Sequence, residues 1–271
     1  MDKNILIEIK KRQLEIMDNI HSLCIKNDVS YYMVGGTLIG ALRHKGFIPW
    51  DVDIDIAMPR SDYEKFKNVC STQLDSKYMY RDYKNTKGFN KPHSIVQLKN
   101  SHLHINGDNS NKYDFGVFVD VFPLDNVPND QSYRKKQKNK IDRLKRLLII
   151  KTSYWKPKNI FKRVVKAIVK VCLIPISLNY IQRKLEEQFI RFNKEKSIMM
   201  ANFAGKYSYE KESHSNGVFG KPTPLPFEGR LFWGPEKADE YLKKVYGDYM
   251  KLPSKEEQEN MLHYYDSFVI E

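Results

Sequence analysis

One short segment constrains the fold of this chain more than any other, because acidic and apolar residues alternate in it without interruption. Positions 51 to 56 read Asp-Val-Asp-Ile-Asp-Ile, and the pattern predicts a β-strand over Asp51 to Met58. Successive side chains of a strand point to opposite faces, so one face of this strand should carry three carboxylates, those of Asp51, Asp53 and Asp55. The opposite face should be apolar and should pack in the core.

Three carboxylates side by side on a largely apolar strand repel one another and are costly to bury. A divalent cation would compensate them, and carboxylate oxygens are the hard ligands that Mg²⁺ prefers. The alternative is a solvent-facing edge strand whose acids merely prevent aggregation. From the three aspartates alone the two interpretations stay nearly balanced.

The residues just before this strand favour an anion-binding site. Tyr31 to Val34 is predicted to be a short strand that is broken by Gly35 and Gly36, and a helix is predicted from Thr37 to His44. Glycines without Cβ atoms let backbone N–H groups approach a phosphate, and a helix N-terminus favours anions. Gly35, Gly36 and Thr37 are therefore candidate phosphate-binding residues.

A further acid lies in an apolar run between positions 117 and 124. Asp120 is in the middle of this predicted strand, where a lone carboxylate would be desolvated without a partner. We therefore expect Asp120 to be a third metal ligand or a general base. Asp125 follows Pro123 and is predicted to cap a turn.

The remaining segments predict strands and helices in a mixed order. Ile5, Ile9, Ile16, Ile20 and Leu23 form an apolar stripe, which predicts an N-terminal helix that covers the core. Ser61 and Glu64 match a capping box and predict a helix towards Leu74. Further strands are predicted at 78–83, 93–98, 102–106, 116–122 and 227–233, and further helices at 133–151, 160–174 and 181–198. A loop is predicted near 213–226, followed after the strand at 227–233 by a last helix with Pro235 in its first turn and Gly247 after its end.

Positive charge is concentrated in one part of the chain. The net charge is +13, yet the segment from Arg134 to Lys170 contains fifteen Lys and Arg residues against one acid, Asp142, and so carries +14. The remainder of the chain sums to −1 and is nearly neutral. The excess charge therefore belongs to a single element.

Within that basic element, apolar residues recur at helical spacing and basic residues occupy much of the remaining circumference. The apolar set is Phe161, Val164, Val165, Ile168, Val169 and Cys172, and the basic set is Lys162, Arg163, Lys166 and Lys170. This pattern is typical of an interfacial amphipathic helix and predicts binding to an anionic membrane surface rather than to nucleic acid. The alternative is an ordinary basic helix packed on the core. The longest uncharged stretch nearby, positions 171 to 182, has 12 residues and contains Pro175, too short to cross a bilayer.

Composition limits the class of protein. A chain of 271 residues with 41% hydrophobic residues is globular and has room for one catalytic domain with an embellishment. We expect a catalytic core over 1–128 and 213–271 and a basic helical insertion over 129–212. Three scattered cysteines and an N-terminus without a secretory signal pattern predict a cytoplasmic protein. The motifs of P-loop, Rossmann, zincin and α/β-hydrolase enzymes are missing from the sequence.

The segment from Gly35 to Arg60, which reads GGTLIGALRHKGFIPWDVDIDIAMPR, closely resembles the signature of the LicD family. A weaker resemblance covers Phe227-Glu228-Gly229 and the stretch from Tyr246 to Pro253. Family members usually read W-D-D-D-I-D, whereas Val52 replaces the middle acid here. Because residue 52 points away from the acidic face of the predicted strand, a metal site should tolerate this change.

The resemblance implies an α+β, nucleotidyltransferase-like fold with a mixed sheet, and a phosphotransferase related to fukutin and fukutin-related protein. It implies that Asp53 and Asp55 are paired metal ligands for Mg²⁺ or Mn²⁺. Asp120 would be the remaining acid on a neighbouring strand, and Asp51 an auxiliary group. The donor would be CDP-linked, typically CDP-choline, and its phospho-group would pass to a sugar hydroxyl with release of CMP. Glycerol and ribitol phosphates remain open as the transferred group.

Several other residues are candidate binding groups beside this site. Arg43, His44 and Lys45 follow the glycines and are candidates to clamp the leaving CMP phosphate, although each is equally compatible with a surface position. Weaker candidates near the C-terminus are Glu228, Trp233 and His263.

Two alternatives to a phosphotransferase remain open. The same carboxylates would serve an enzyme that transfers a nucleoside monophosphate from a nucleoside triphosphate. A non-enzymatic module that binds a membrane or nucleic acid through the basic insertion is the second alternative. On the phosphotransferase interpretation we expect a lipid-linked glycan acceptor, and attachment of the enzyme to the inner face of the cell membrane would place it beside that acceptor.

Overall fold

The computed structural model describes residues 3–105, 115–152, 159–262 and 265–270. The strands are β1 (Tyr32–Met33), β2 (Asp55–Pro59), β3 (Tyr78–Arg81), β4 (Ser94–Leu98), β5 (Ser101–Ile105), β6 (Phe118–Asn126), β7 (Met199–Ala201), β8 (Ser213–Ser215), β9 (Thr223–Phe227), β10 (Arg230–Gly234) and β11 (Tyr265–Ile270). The helices are α1 (Lys3–Lys26), α2 (Gly35–Arg43), α3 (Arg60–Gln73), α4 (Gln131–Thr152), α5 (Ile160–Cys172), α6 (Leu178–Phe189), α7 (Tyr209–Glu212), α8 (Asn216–Phe219), α9 (Ala238–Tyr246) and α10 (Lys255–Leu262). A 3₁₀ turn, Ile190–Phe192, follows α6.

A seven-stranded mixed sheet organises the described residues. Its main path runs in the order β1-β2-β6-β4-β3, and β7 joins β6 to β8. Only the β2–β6 pair is parallel within this sheet, and the other pairs are antiparallel. The prediction of an α+β fold with a mixed sheet is confirmed. Two further pairs, β9 with β10 and β5 with β11, are separate antiparallel ribbons.

The centre of the sheet is apolar because β2, β4 and β6 bury most of their side chains. The predicted N-terminal helix is present as α1, and its stripe of Ile9, Ile16 and Ile20 is fully buried in the main core. A second apolar cluster joins α4, α6 and β7 through residues such as Ile141, Leu185 and Ala201. β7 lies within the segment predicted to be an insertion, yet it extends the sheet.

The predicted strand over Asp51 to Met58 is shorter in the structure. Ladder pairing begins only at Asp55, and residues 51 to 54 run into the sheet without regular strand geometry. The alternation itself is confirmed, since Val52, Ile54 and Ile56 are buried while the three aspartates are partly exposed. Burial of Val52 and Ile54 therefore orients residues 51 to 54, although these residues are not part of a strand ladder.

The interpretation of Asp125 as a turn cap was wrong. Asp125 lies in β6 with its side chain fully buried, and Arg60 binds both of its oxygens, with Nε–Oδ1 and Nη2–Oδ2 distances of 2.8 Å and 2.7 Å. Asn193 Nδ2 donates a further bond to Oδ1 at 2.6 Å. Pro123 does not end the strand, because β6 continues through it to pair with β7 at Asp125.

The predicted capping box of the third helix was also wrong. α3 begins at Arg60 with Pro59 at its N-cap, so Ser61 lies inside the first turn and no side chain caps the helix. Glu64 instead accepts a bond from Arg60 Nη1 at 3.0 Å.

The C-terminal predictions require three corrections. The helix predicted over 181–198 ends at Phe189 and continues only as the 3₁₀ turn. The predicted loop near 213–226 contains β8, α8 and most of β9. The predicted strand at 227–233 is part of a hairpin whose turn, Glu228 and Gly229, has positive φ at both residues.

The helix predicted after Pro235 is α9. It ends at Tyr246, and Gly247 follows it as expected, with a φ of 73° that favours glycine. It starts at Ala238, so Pro235 precedes its first turn, and it is followed by α10. None of the helices in the described ranges combines the length and apolar character that a bilayer crossing requires.

Candidate active site

The parallel pairing of β2 with β6 brings the predicted acids together. Asp55 and Asp120 are register partners on these adjacent strands, and Asp53 lies two residues before Asp55. Asp53, Asp55 and Asp120 each offer a carboxylate oxygen, and these three oxygens lie within 4.8 Å of one another. Acids that are 67 residues apart in the chain therefore converge on a single point.

Two buried polar side chains hold the backbone that carries these acids. Thr37 Oγ1 accepts a hydrogen bond from Asp55 N at 2.8 Å, which ties the start of β2 to α2. Gln13 Nε2, from α1, donates to Val52 O at 2.9 Å and to Phe118 O at 3.3 Å. The Gln13 amide therefore bridges the acidic segment of residues 51–54 to the start of β6.

Burial and mutual repulsion make the carboxylates at residues 53 and 55 hard to ionise. Burial is the largest cause that raises the pKa of Asp53 and Asp55 well above the ordinary value, and the neighbouring aspartates raise it further. Burial also raises the pKa of Asp51, and Val52 N, which donates to Asp51 Oδ1 at 3.1 Å, partly offsets this effect.

Asp120 differs from the other acids because two cationic or donor groups contact it. Lys91 Nζ lies 2.9 Å and His93 Nε2 lies 2.7 Å from Asp120 Oδ1. Burial opposes ionisation, but these two groups outweigh it and lower the pKa of Asp120 to about 2. Burial lowers the pKa of His93, while the neighbouring Asp120 carboxylate acts in the opposite direction. Both contacts use Oδ1, so neither uses Oδ2.

Sequence reasoning missed Lys91 and His93. The strand predicted over 93–98 forms as β4, and its pairing with β6 places Ile95 opposite Asp120. A basic residue and a histidine at the start of a strand were visible in the sequence, but only the antiparallel register shows that they face Asp120.

The donor set fits a hard divalent cation. It consists of three carboxylates. Burial and neighbouring acids raise the pKa of Asp53 and Asp55, whereas Lys91 and His93 keep Asp120 ionised. Oxygen-only ligation by carboxylates, with positions left for water and substrate oxygens, is the pattern of Mg²⁺ sites.

The two glycines are required by the acids beside them. Gly35 has a φ of +59°, and a Cβ at this position would lie 2.9 Å from Asp55 Oδ2. A Cβ on Gly36 would lie 2.2 Å from Asp51 Oδ2, closer than two such atoms can approach. α2 begins at Gly35 rather than at Thr37, so its N-terminus lies directly against the carboxylates.

A cavity of about 790 Å³ opens over these groups. Its wall includes Gly35, Gly36, Asp51, Asp53 and Asp55 from the predicted site. The C-terminal half of the chain supplies residues that sequence reasoning did not select, namely Asn202, Lys206, Tyr207, Glu212, Tyr241, Tyr246, Asp248 and Tyr249. Residues 202 to 212 had been assigned to the basic insertion, which is why their contribution was not foreseen.

One end of the cavity wall combines aromatic rings with an acid. The rings of Tyr207 and Tyr246 meet edge to face with centroids 5.1 Å apart. Glu212 Oε1 accepts a bond from Tyr207 N at 3.2 Å, and burial raises the pKa of Glu212 to about 7. Tyr241 is buried in the same wall, which also includes Gly35 at the start of α2.

The basic residues predicted after the glycines lie in different places. Arg43 lines the cavity, but its Nη1 donates to Tyr249 O at 2.6 Å and so holds the C-terminal wall. His44 and Lys45 do not line the cavity: His44 packs edge to face on Trp50, and Lys45, at a φ of 59°, donates to Leu42 O.

The weaker C-terminal candidates lie away from the carboxylates. Glu228 Oε1 accepts a bond from Phe47 N at 2.9 Å and supports the turn after α2. Trp233 packs against Tyr31 and His21 at the main core and does not line the cavity. His263 lies outside the residues that the structure describes.

A known family model matches the part of the chain that contains this site. The sequence model described as "LicD/FKTN/FKRP, nucleotidyltransferase domain" matches residues 28–159, a range that contains all three converging carboxylates. The match also contains the two glycines and the Lys91 and His93 contacts.

Individual relatives extend this similarity over nearly the whole chain. The lipopolysaccharide cholinephosphotransferase LicD of Haemophilus influenzae is 30% identical over 255 residues, which cover 90% of this chain and 91% of that protein. The ribitol 5-phosphate transferase FKRP of Mus musculus is 32% identical over 78 residues, 28% of this chain and 16% of that protein. The human protein of the same name matches equally. This chain belongs to the LicD family.

Proposed function

We propose that this protein is a Mg²⁺-dependent phosphotransferase that moves phosphocholine, or a related phospho-alcohol, from a CDP-linked donor to a sugar hydroxyl and releases CMP. The acceptor would belong to a cell-surface glycan or its lipid-linked precursor. The observation that carries this proposal is the convergence of Asp53, Asp55 and Asp120 within 4.8 Å, with Asp53 and Asp55 lining a cavity beside a helix N-terminus. The name of the Haemophilus influenzae relative, lipopolysaccharide cholinephosphotransferase, supports phosphocholine and a glycan acceptor, and the name ribitol 5-phosphate transferase supports a related phospho-alcohol.

Asp53, Asp55 and Asp120 would hold the metal, for which Mn²⁺ is an alternative. The bound ion would neutralise the diphosphate and stabilise charge on the leaving group. The raised pKa values of Asp53 and Asp55 support this assignment, because a nearby cation is what such carboxyls need to ionise. Mn²⁺ shares this preference for carboxylate oxygens.

Asp120 is better suited to ligation than to proton transfer. A carboxylate with a pKa of about 2 is a weak base, and its Oδ1 is already occupied by Lys91 and His93. We therefore assign Asp120 to the metal and leave Asp51, which lines the cavity and has a raised pKa, as the group to accept the proton of the sugar hydroxyl.

The phosphate groups of the donor would lie at the start of α2. Partial positive charge at a helix N-terminus stabilises phosphate there, and the missing Cβ of Gly36 admits close approach. The hydroxyl of Thr37 already accepts a bond from Asp55 N, so Thr37 would act mainly by positioning β2.

The aromatic part of the cavity supports a cationic alcohol as the transferred group. Tyr207, Tyr241 and Tyr246 line it together with Glu212, and aromatic faces beside a carboxylate attract a quaternary ammonium. A neutral polyol such as glycerol or ribitol would gain less from these rings.

The fold of the catalytic part belongs to the same proposal. We infer a nucleotidyltransferase-like core over 1–128 and 213–271 with a basic insertion over 129–212. The family match supports the first part of this core, and the separate apolar cluster of α4 and α6 supports the insertion.

A donor panel tests the proposal directly. The purified chain is supplied with Mg²⁺, a glycan acceptor and CDP-choline, CDP-glycerol or CDP-ribitol in turn, and CMP is quantified. We expect Mg²⁺-dependent CMP formation that is greatest with CDP-choline and lost in Asp55→Asn. Release of pyrophosphate from a nucleoside triphosphate, without CMP from any CDP-alcohol, would identify a nucleotidyltransferase instead.

A further inference from the structure

The helix α5 presents its apolar side to solvent. Phe161 is 73% exposed and Ile168 is 57% exposed, although both are large apolar residues. The same holds for Ile160, Val164, Val165 and Val171. In an amphipathic helix packed on a core these side chains would be the buried ones. The alternative of an ordinary basic helix packed on the core therefore does not describe α5.

The exposed apolar residues share one side of the helix. Residues 160, 164, 168 and 171 recur at intervals of three and four, and Phe161 and Val165 flank this row. Arg163 and Lys170 fall on the opposite side of the same helix. α5 contains four basic residues and no acidic residue.

The protein holds α5 by its C-terminal end. Leu173, just after the helix, is buried, and Lys151 Nζ at the end of α4 donates to Leu173 O at 2.7 Å. α4 adds exposed basic side chains to the same basic segment, namely Lys135, Lys136, Lys140, Arg143 and Arg146. The exposed apolar face of α5 therefore belongs to the same segment as many exposed basic side chains of α4.

We propose that the apolar face of α5 docks on an anionic lipid surface, with the helix axis lying in the plane of the membrane. The apolar side chains would enter the boundary between headgroups and acyl chains, and the basic side chains would reach the lipid phosphates. The charge of +14 between residues 134 and 170 complements such a surface. In the described part of the chain nothing else covers this face.

Charge and apolar area together favour lipid over other occupants. A nucleic acid would satisfy the basic residues but offers no apolar phase for six exposed aliphatic and aromatic side chains. A second copy of this chain would bury the apolar face but would bring two basic segments of +14 together. Of these three occupants, an anionic membrane is the one that satisfies both properties at once.

This surface is separate from the phosphotransfer site, because the described side chains of α5 are not among those that line the cavity or form the carboxylate cluster. It gives a physical reason for a position at the inner face of the cell membrane, where anionic headgroups concentrate. An acceptor attached to a lipid would be confined to the same surface.

Co-sedimentation of the full chain with vesicles tests this inference. We compare vesicles of phosphatidylcholine alone with vesicles that also contain phosphatidylglycerol, at low and high salt. The test variant is Phe161→Asp with Ile168→Asp. The matched control, Ile25→Asp with Leu231→Asp, places the same charge at apolar residues that are 56% and 60% exposed elsewhere.

We expect the wild type to bind the phosphatidylglycerol vesicles at low salt and to dissociate at high salt. The α5 variant should lose binding at least tenfold while the control variant keeps it, and thermal melting should show that both remain folded. The inference is overturned if the α5 variant sediments like the wild type, or if neutral vesicles bind equally well. A dimer that the α5 variant abolishes, or tight RNA binding without vesicle binding, would also overturn it.

Discussion

Two acids of the same strand, Asp120 and Asp125, are both paired with basic side chains but differ in the acids around them. Asp125 is matched by the guanidinium of Arg60 on both oxygens and by Asn193, so its charge is compensated within the protein. Asp120 is also paired, but the acids that face it are not, since Asp53 and Asp55 have pKa values raised well above the ordinary range. A compensated buried acid serves stability, whereas a surplus of carboxylates around one point predicts a bound cation.

Substitution of an aspartate in the carboxylate cluster should have the largest effect, because it should lower activity without lowering stability. In Asp53→Asn we expect CMP formation to fall on the order of 10³-fold, about 4 kcal/mol of transition-state stabilisation. Without metal the variant should melt at or above the wild-type temperature, because one repelling carboxylate is removed. Mg²⁺ should raise the melting temperature of the wild type only. A variant that keeps full activity would contradict the metal assignment.

Substitution of the compensated acid should have the opposite result. Asp125→Ala leaves Nε and Nη2 of the largely buried Arg60 guanidinium without the carboxylate that they bind, although Nη1 still binds Glu64, and we expect the free energy of unfolding to fall by about 3–5 kcal/mol. Denaturant unfolding measures this loss. At temperatures where the variant remains folded, CMP formation per folded molecule should stay near the wild-type value. A selective loss of turnover without a loss of stability would show that Asp125 acts in catalysis.

The contact between His93 and Asp120 should have an intermediate effect. His93→Phe keeps a ring against Phe122 but removes the hydrogen bond to Asp120, and we expect apparent Mg²⁺ affinity or turnover to fall about 10- to 100-fold. His93→Gln, which retains an N–H donor, should restore part of the loss. If the phenylalanine variant titrates with Mg²⁺ like the wild type, His93 does not position Asp120.

Substitution of Glu212 should have the smallest of these effects. It should change how the free energy of unfolding depends on pH. Burial raises its pKa from 4.5 to about 7, so the folded state keeps a proton that the unfolded state has lost between these values. Stability should therefore fall as pH rises through this window. Glu212→Gln removes this dependence and should be more stable than the wild type above pH 7, on the order of 1–3 kcal/mol. Denaturant unfolding at pH 5 and pH 8 measures it, and equal differences at both values would contradict the assignment.

Local pattern predicted the central part of the site because the alternation at residues 51 to 56 is a local property. The buried and exposed sides of that segment follow from it directly, even though Asp51 to Ile54 form no ladder. The glycines before α2 were predicted for a related reason, namely that close approach requires a missing Cβ.

Pairing between distant segments could not be predicted in the same way. That Asp120 is opposite Asp55, and that Lys91 and His93 reach Asp120, depends on the order and register of β2, β6 and β4. Asp125 was misjudged because its partner, Arg60, is 65 residues away. The tyrosines and Glu212 of the cavity wall were missed because nothing in their local sequence marks them as neighbours of the acids.

The hydrogen bonds of Gln13 have a consequence for truncated forms of this protein that contain only the residues matched by the family model. The family match starts at residue 28, so a fragment cut there would omit α1 altogether. It would still contain Asp53, Asp55 and Asp120. It would lack the Gln13 amide, which binds the backbone beside Asp53 and the backbone at the start of β6. We expect such a fragment to keep the metal-binding residues but to hold them in a less well-defined arrangement.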